Sequence, residues 1–170
     1  MNSPPPLPVL PRADFKLLIV DDDTNTRELL SEVLKACGAR VRAAASAPEA
    51  RQALATWHPD LVISDVGMER EDGYELIRRV RHLPATEGGA IPAIACTGYD
   101  RAKDRLRAIQ AGFDAVVPKP IDVDLLVETI VHVAGVRVPG SAGDPAADAA
   151  AAFDDPDPAE ASRARSEPDS

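Results

Sequence analysis

Four short apolar runs of this chain each end in a polar residue, and the end residues together suggest a chemistry. The runs are Lys16–Asp23 (KLLIVDDD), Asp60–Asp65 (DLVISD), Ile91–Thr97 (IPAIACT) and Asp114–Pro120 (DAVVPKP). In chain order they offer two or three carboxylates, a further carboxylate, a hydroxyl and an ammonium. Asp21, Asp22 and Asp65, brought together, would crowd three negative charges. Two like unit charges 4 Å apart repel by roughly 4 kcal/mol at an effective dielectric of about 20, so such a cluster calls for a cation. A small set of hard oxygen ligands suits Mg²⁺, which keeps several waters and shares its shell with phosphate. Phosphoryl transfer needs a nucleophile, neutralised phosphate oxygens and donors placed where charge sits. Asp65 fits the nucleophile, because an aspartyl phosphate is a known kind of covalent intermediate. Thr97 can donate its hydroxyl to one phosphate oxygen and Lys119 can pair with another. Asp23 reads as a cap or loop residue.

This chemistry needs all four runs at one edge of one sheet. From Lys16 the hydrophobic pattern alternates between continuous short runs and helical spacing. The expected strands are Leu17–Val20, Arg40–Ala44, Leu61–Ser64, Ile91–Ala95 and Ala115–Val117. The first helix should turn Leu29, Leu30, Val33 and Leu34 inward, with Asn25 and Glu28 as its cap and Gly38 as its stop. Ser46 to Glu49 spells a capping box for a second helix with Ala50, Leu54 and Trp57 on its face. Asp72 to Glu75 opens a third, which buries Leu76, Ile77 and Val80. Ala102, Leu106 and Ile109 mark the inner face of a fourth, closed by Gly112. Asp122 starts a fifth, which buries Leu126, Ile130 and Val133. Apolar strands alternating with amphipathic helices predict an α/β, doubly wound, five-stranded parallel sheet with five helices and helices on both faces. The common strand order for that size is 2-1-3-4-5, with ligands at the carboxyl ends of the strands near the switch between strands one and three. Asp21, Asp22 and Asp65 fall at that switch.

Composition sets bounds on function. The chain has 170 residues and a net charge of −9, which argues against nonspecific nucleic-acid binding. Residues 140–170 hold 8 acids and 2 bases, so −6 of the total lies there. That stretch of Ala, Asp, Pro, Ser and Glu, with Phe153 its one large apolar residue, cannot bury enough surface to order itself. The expected organisation is a disordered Pro-rich leader over 1–15, a folded domain over 16–138 and a disordered acidic tail over 139–170. Pro5, Pro8 and Pro11 have PxxP spacing, which a disordered leader also produces. No apolar run approaches the roughly 20 residues of a membrane span, and the Pro-rich start is no signal peptide. Cys37 and Cys96 read as free thiols in a reducing cytoplasm rather than a disulfide framework. His58, His82 and His132 lack the setting of a phosphotransfer histidine.

The motifs LLIVDDD, DLVISDVGMEREDGYELIRRVR, IPAIACTGYD and AGFDAVVPKPID make the stretch from Lys16 to Gly135 resemble the receiver domain of two-component response regulators, most closely receivers attached to hybrid sensor kinases. The resemblance implies a flavodoxin-like fold. It implies that Asp65 accepts a phosphoryl group from a histidine kinase or histidine phosphotransfer protein. Asp21, Asp22 and Asp65 would hold Mg²⁺ with the Gly67 backbone carbonyl. Thr97 would be the switch hydroxyl, Lys119 the phosphate-pairing lysine, and the Lys119–Pro120 bond cis. Such a protein is a phosphoacceptor with self-phosphorylation and self-dephosphorylation chemistry rather than an enzyme. Three positions depart from the family pattern. Glu69 follows Met68 where proline is frequent. Val116 stands where many members have an aromatic, so an aromatic rotating with Thr97 is missing. Gly67 leaves no side chain beside the phosphate, and Tyr99 lies two residues past Thr97.

With only an acidic tail expected after the domain, the signal should leave through the domain's own surface. Arg101, Lys103, Arg105 and Arg107 surround Asp104 on the fourth helix, which with strand five and helix five could dock an acidic partner or a second copy. Two other readings use the same fold class or residue types. One is a protein-interaction module that is never phosphorylated. The other is a haloacid-dehalogenase-like phosphatase, which needs D-x-D-x-[T/V] after strand one; here Asn25 stands at the last position of that motif.

Overall fold

The computed structural model describes residues 10–11, 13–98 and 101–136. The expected acidic tail, most of the Pro-rich leader and Tyr99 lie outside the described residues. Five strands alternate with five helices: β1 Lys16–Val20, α1 Thr24–Ala36, β2 Arg40–Ala44, α2 Ala47–Trp57, β3 Leu61–Asp65, α3 Gly73–Arg81, β4 Ala93–Thr97, α4 Arg101–Ala111, β5 Ala115–Pro118 and α5 Val123–Val136. A single 3₁₀ turn, Ala85–Glu87, precedes β4. The strands form one parallel sheet in the order β2-β1-β3-β4-β5. Order, direction and helix number are those the periodicity predicts.

The register explains why the functional residues share an edge. Val20 lies opposite Ala44 and Ser64, Asp65 opposite Cys96, and Thr97 opposite Pro118. The residues after β1, at the ends of β3 and β4, and after β5 therefore come out on one side. Alternation along each strand feeds two apolar layers. Leu18, Val20, Val62, Ala93 and Ala95 pack with Leu54, Leu76, Ile77, Val80 and Ala108. Leu17, Ile19, Leu61, Ile63, Ile94, Cys96 and Val117 pack with Leu30, Leu34, Leu126 and Ile130.

Several details differ from the expectation. Asp23, not Asn25, caps α1: its carboxylate accepts the Asn25 N–H at 2.9 Å. Leu29 is 59% exposed, so the buried face of α1 is narrower than its apolar spacing suggests. β4 begins two residues later than expected, since Pro92 has no N–H for the ladder. Leu10 and Phe15, assigned to the leader, are buried in the α1/α5 layer, where an apolar side chain gains more from the core than from water. The largest difference is α4. Leu106 is 59% and Ile109 44% exposed and Ala102 is also exposed, while Ala108 and Ala111 are the buried residues.

Other expectations are met closely. Ser46 Oγ accepts the Glu49 N–H at 3.4 Å, and Glu49 returns a bond to the N–H of Ala45 rather than Ser46. Asp72 caps α3 through the Glu75 N–H at 2.9 Å. Gly112 closes α4 with φ +127°, a value L side chains avoid. Trp57 is half-buried because Lys16 and Arg42 cover its ring, at 5.6 and 5.1 Å from the centroid.

Candidate functional site

Asp21 follows β1 at the point where the chain turns into α1. Its side chain is 4% exposed. One oxygen accepts the Asp23 N–H at 2.9 Å and the other meets Lys119 Nζ at 3.3 Å. Arg27 donates to the Asp21 carbonyl at 2.7 Å and fixes the turn from below. Asp22, the next residue, faces solvent, and its Oδ2 accepts the Glu69 N–H at 3.4 Å, linking the β1–α1 and β3–α3 loops.

Asp65 ends β3. Its Oδ1 accepts the Gly67 N–H at 3.0 Å and lies 3.3 Å from Lys119 Nζ. The loop then returns so tightly that Gly73 N–H reaches the Val66 carbonyl at 3.2 Å. A Cβ on Gly73 would lie 2.3 Å from the Asp65 carbonyl oxygen, so only glycine lets α3 start this close to the site. Lys119 follows β5, held by its N–H bond to the Thr97 carbonyl at 2.8 Å, and the Lys119–Pro120 bond is cis.

The three acids converge. Asp21, Asp22 and Asp65 each offer a carboxylate oxygen, and these oxygens all lie within 4.8 Å of one another. Burial, then the charge of Asp65, pushes the Asp21 carboxyl above its ordinary value, against the lowering effect of the Asp23 N–H and Lys119. Burial works against the Lys119 ammonium, but Asp65 and Asp21 outweigh it and hold its proton more firmly than usual. Three carboxylates against one ammonium leave two negative charges, and the donors are all hard oxygens. That set fits a divalent oxygen-seeking cation such as Mg²⁺.

Thr97 is brought to the same edge and is 4% exposed. Its hydroxyl donates to Asp104 Oδ2, at 3.1 Å, in the first turn of α4. In the sequence Asp104 is only an acidic interruption in a basic helix face, because no spacing rule joins a strand end to a residue seven positions on. Tyr74 likewise carries no spacing signal in the sequence. It is buried on α3 with the Arg107 guanidinium 4.1 Å from its ring centroid. Cys96 lies beneath the site, and burial pushes its thiol up to about 12.

The response regulator receiver domain model matches residues 17–131. The chain is 46% identical over 110 residues to an uncharacterized 14.6 kDa protein of Leptolyngbya boryana, covering 65% of this chain and 82% of that one. It is 33% identical over 117 residues to the sensor histidine kinase RcsC of Escherichia coli K12, covering 69% of this chain but 12% of the kinase. The chain thus corresponds to a small part of that kinase's length. The crystal structure of the signal receiver domain of a signal transduction histidine kinase from Syntrophus aciditrophicus superimposes with a TM-score of 0.66 at 30% identity, covering 75% of this chain and 96% of that one. The matched stretch takes in Asp21, Asp22, Asp65, Thr97 and Lys119. The chain belongs to the response regulator receiver domain family.

Proposed function

We propose that Asp65 accepts a phosphoryl group from a histidine kinase or histidine phosphotransfer protein in a Mg²⁺-dependent step, and that the modified surface signals through protein–protein contact. The observation that carries this reading is the convergence of Asp21, Asp22 and Asp65 with Lys119 placed 3.3 Å from both Asp21 and Asp65. An Asp65 oxygen forms the bond to phosphorus while the P–N bond of the phosphohistidine breaks and its electron pair returns to the imidazole nitrogen. Lys119, already beside Asp65 Oδ1, pairs with a phosphoryl oxygen. The Gly67 N–H orients the carboxylate. Asp21, Asp22, Asp65 and the Gly67 carbonyl would hold Mg²⁺, whose contribution is to neutralise charge on the phosphoryl oxygens. Thr97 donates its hydroxyl to the phosphoryl group.

The exposed side of α4 is the candidate docking surface for a downstream partner or a second copy. Lys103, Arg105 and Arg107 lie exposed there with Leu106 and Ile109. The test of the phosphoacceptor reading is to weigh the protein after incubation with acetyl phosphate and Mg²⁺. A labile gain of roughly 80 Da in the wild type that is missing from Asp65→Asn supports it. No gain, from acetyl phosphate or from a kinase, would support an interaction module that is not phosphorylated.

A further inference from the structure

Thr97 has one hydroxyl proton, and in this structure that proton goes to Asp104 Oδ2, at 3.1 Å. A hydroxyl that donates to a carboxylate cannot at the same time donate to a phosphoryl oxygen. We propose that Asp104 is the positioning residue of the switch: it holds the Thr97 hydroxyl in a resting state and competes directly with the phosphoryl group on Asp65 for its proton. This rests on the phosphoacceptor reading of Asp65.

The surroundings suit a carboxylate that must give up a partner. Asp104 sits on the first turn of α4, and its charge acts on the buried Tyr74 hydroxyl, as does the opposite charge of Arg107. Arg107 itself lies over the Tyr74 ring. Arg107 follows Asp104 by one helical turn, so a positive charge and the carboxylate both act on Tyr74. Val116 on β5 packs against the same apolar layer as Tyr74 and offers no polar group to Thr97. The polar tie of Thr97 thus runs to α4, and release of the hydroxyl frees the first turn of that helix from the end of β4.

The competition is measurable with beryllofluoride, a phosphoryl mimic, titrated into the full chain with Mg²⁺ by calorimetry. A charge-assisted hydrogen bond is worth about one tenfold step in an equilibrium. Asp104→Ala should therefore bind beryllofluoride about tenfold more tightly than wild type, with Asp104→Asn between the two. In a Thr97→Ala background the Asp104→Ala gain should vanish. In the metal-free protein, three-bond couplings should report one Thr97 rotamer in wild type and mixed rotamers in Asp104→Ala. Unchanged or weaker binding by Asp104→Ala, a gain that persists without Thr97, or unaltered couplings would each overturn the proposal. A wild type that binds no beryllofluoride would overturn the phosphoacceptor reading itself, a different outcome from a wild type that binds and a variant that does not differ.

Discussion

The Lys119 ammonium lies 3.3 Å from Asp65 Oδ1, so the proposed acceptor is held by the group proposed to receive its phosphoryl oxygen. The same ammonium is 3.3 Å from Asp21 Oδ2, and removing it leaves two close carboxylates without their nearest positive charge. Lys119→Met should lower the stability of the metal-free protein by ~1–2 kcal/mol in urea, less than for a fully buried pair because the lysine is partly solvated. Uptake of phosphoryl from acetyl phosphate, read by mass, should fall by more than about tenfold, as for loss of a group that stabilises charge in transfer. Wild-type uptake in this variant would remove Lys119 from the site.

Gly73 couples the fold to the site through backbone alone. A Cβ there meets the Asp65 carbonyl oxygen at 2.3 Å and Val66 Cα at 2.8 Å, neither of which can swing aside. Gly73→Ala should cost ~2–3 kcal/mol, as overpacking against backbone does, and should slow Asp65 phosphorylation. Gly135→Ala in the last turns of α5 is the control. Nothing lies within 4 Å of its added Cβ, so it should be neutral or stabilising by up to ~1 kcal/mol. Equal urea midpoints for the two variants would contradict the argument.

Arg81 joins three segments at the opposite edge of the sheet. Its guanidinium donates to the carbonyls of Gly112 at 2.9 Å, Gly89 at 3.0 Å and Ile91 at 2.6 Å, and to Asp114 Oδ2 at 3.1 Å. Asp114 Oδ2 also takes the Ala93 N–H. Arg81→Ala should destabilise by ~2–4 kcal/mol, and Arg81→Lys should recover little, since one ammonium cannot reproduce a planar fork of donors. Urea unfolding of the three proteins decides it.

Cys96 gives a pH dependence whose sign follows from its burial. Burial first, then Asp65 and Asp21, outweigh Lys119 and raise the folded thiol from 9.0 to about 12. Between those values the folded chain keeps a proton that the unfolded chain loses. Stability from this group is therefore full below pH 9 and falls as pH rises toward 12, by about 1.4 kcal/mol per pH unit. Cys96→Ala should flatten the pH slope of urea stability between 9 and 11 by about that amount relative to wild type. Parallel slopes would show that the thiol ionises freely in the folded state.

The sheet was legible because its cause is local. Leu17–Val20 and Leu61–Ser64 are continuous apolar runs, and continuous runs between amphipathic helices have few other places to go. The site was legible because strand ends carry it: once Asp21, Asp65, Thr97 and Lys119 end or follow parallel strands, register brings them to one edge. What spacing could not supply were choices made by packing distance. On α4 the large residues Leu106 and Ile109 compete with Ala108 and Ala111 for the inner face, and hydrophobicity favours the larger pair. The helix instead turns Ala108 and Ala111 inward and leaves the larger pair at the surface. The same blindness hid the Thr97–Asp104 bond, because a hydroxyl choosing between two acceptors leaves no periodic trace. The reading of Asp23 as a cap holds, and Asn25 fails as one because it stands inside the first turn, where its own N–H needs a partner.

The seat of α4 has a mechanical consequence. Among its described residues nothing before Ala108 is buried, while Ala108, Ala111 and, past the Gly112 turn, Phe113 all are. Arg81 grips the Gly112 carbonyl at that same end. The helix is thus a beam clamped at its C-terminal end and tied at the other by polar contacts. Each methyl-sized group in the clamp holds it by only about 0.8 kcal/mol. A force at Asp104 therefore acts with an arm of about 10 Å, at 1.5 Å per residue from Asp104 to Ala111. A displacement of Asp104 at the end of β4 would swing Lys103, Arg105 and Leu106 with it across the surface, Lys103 the furthest.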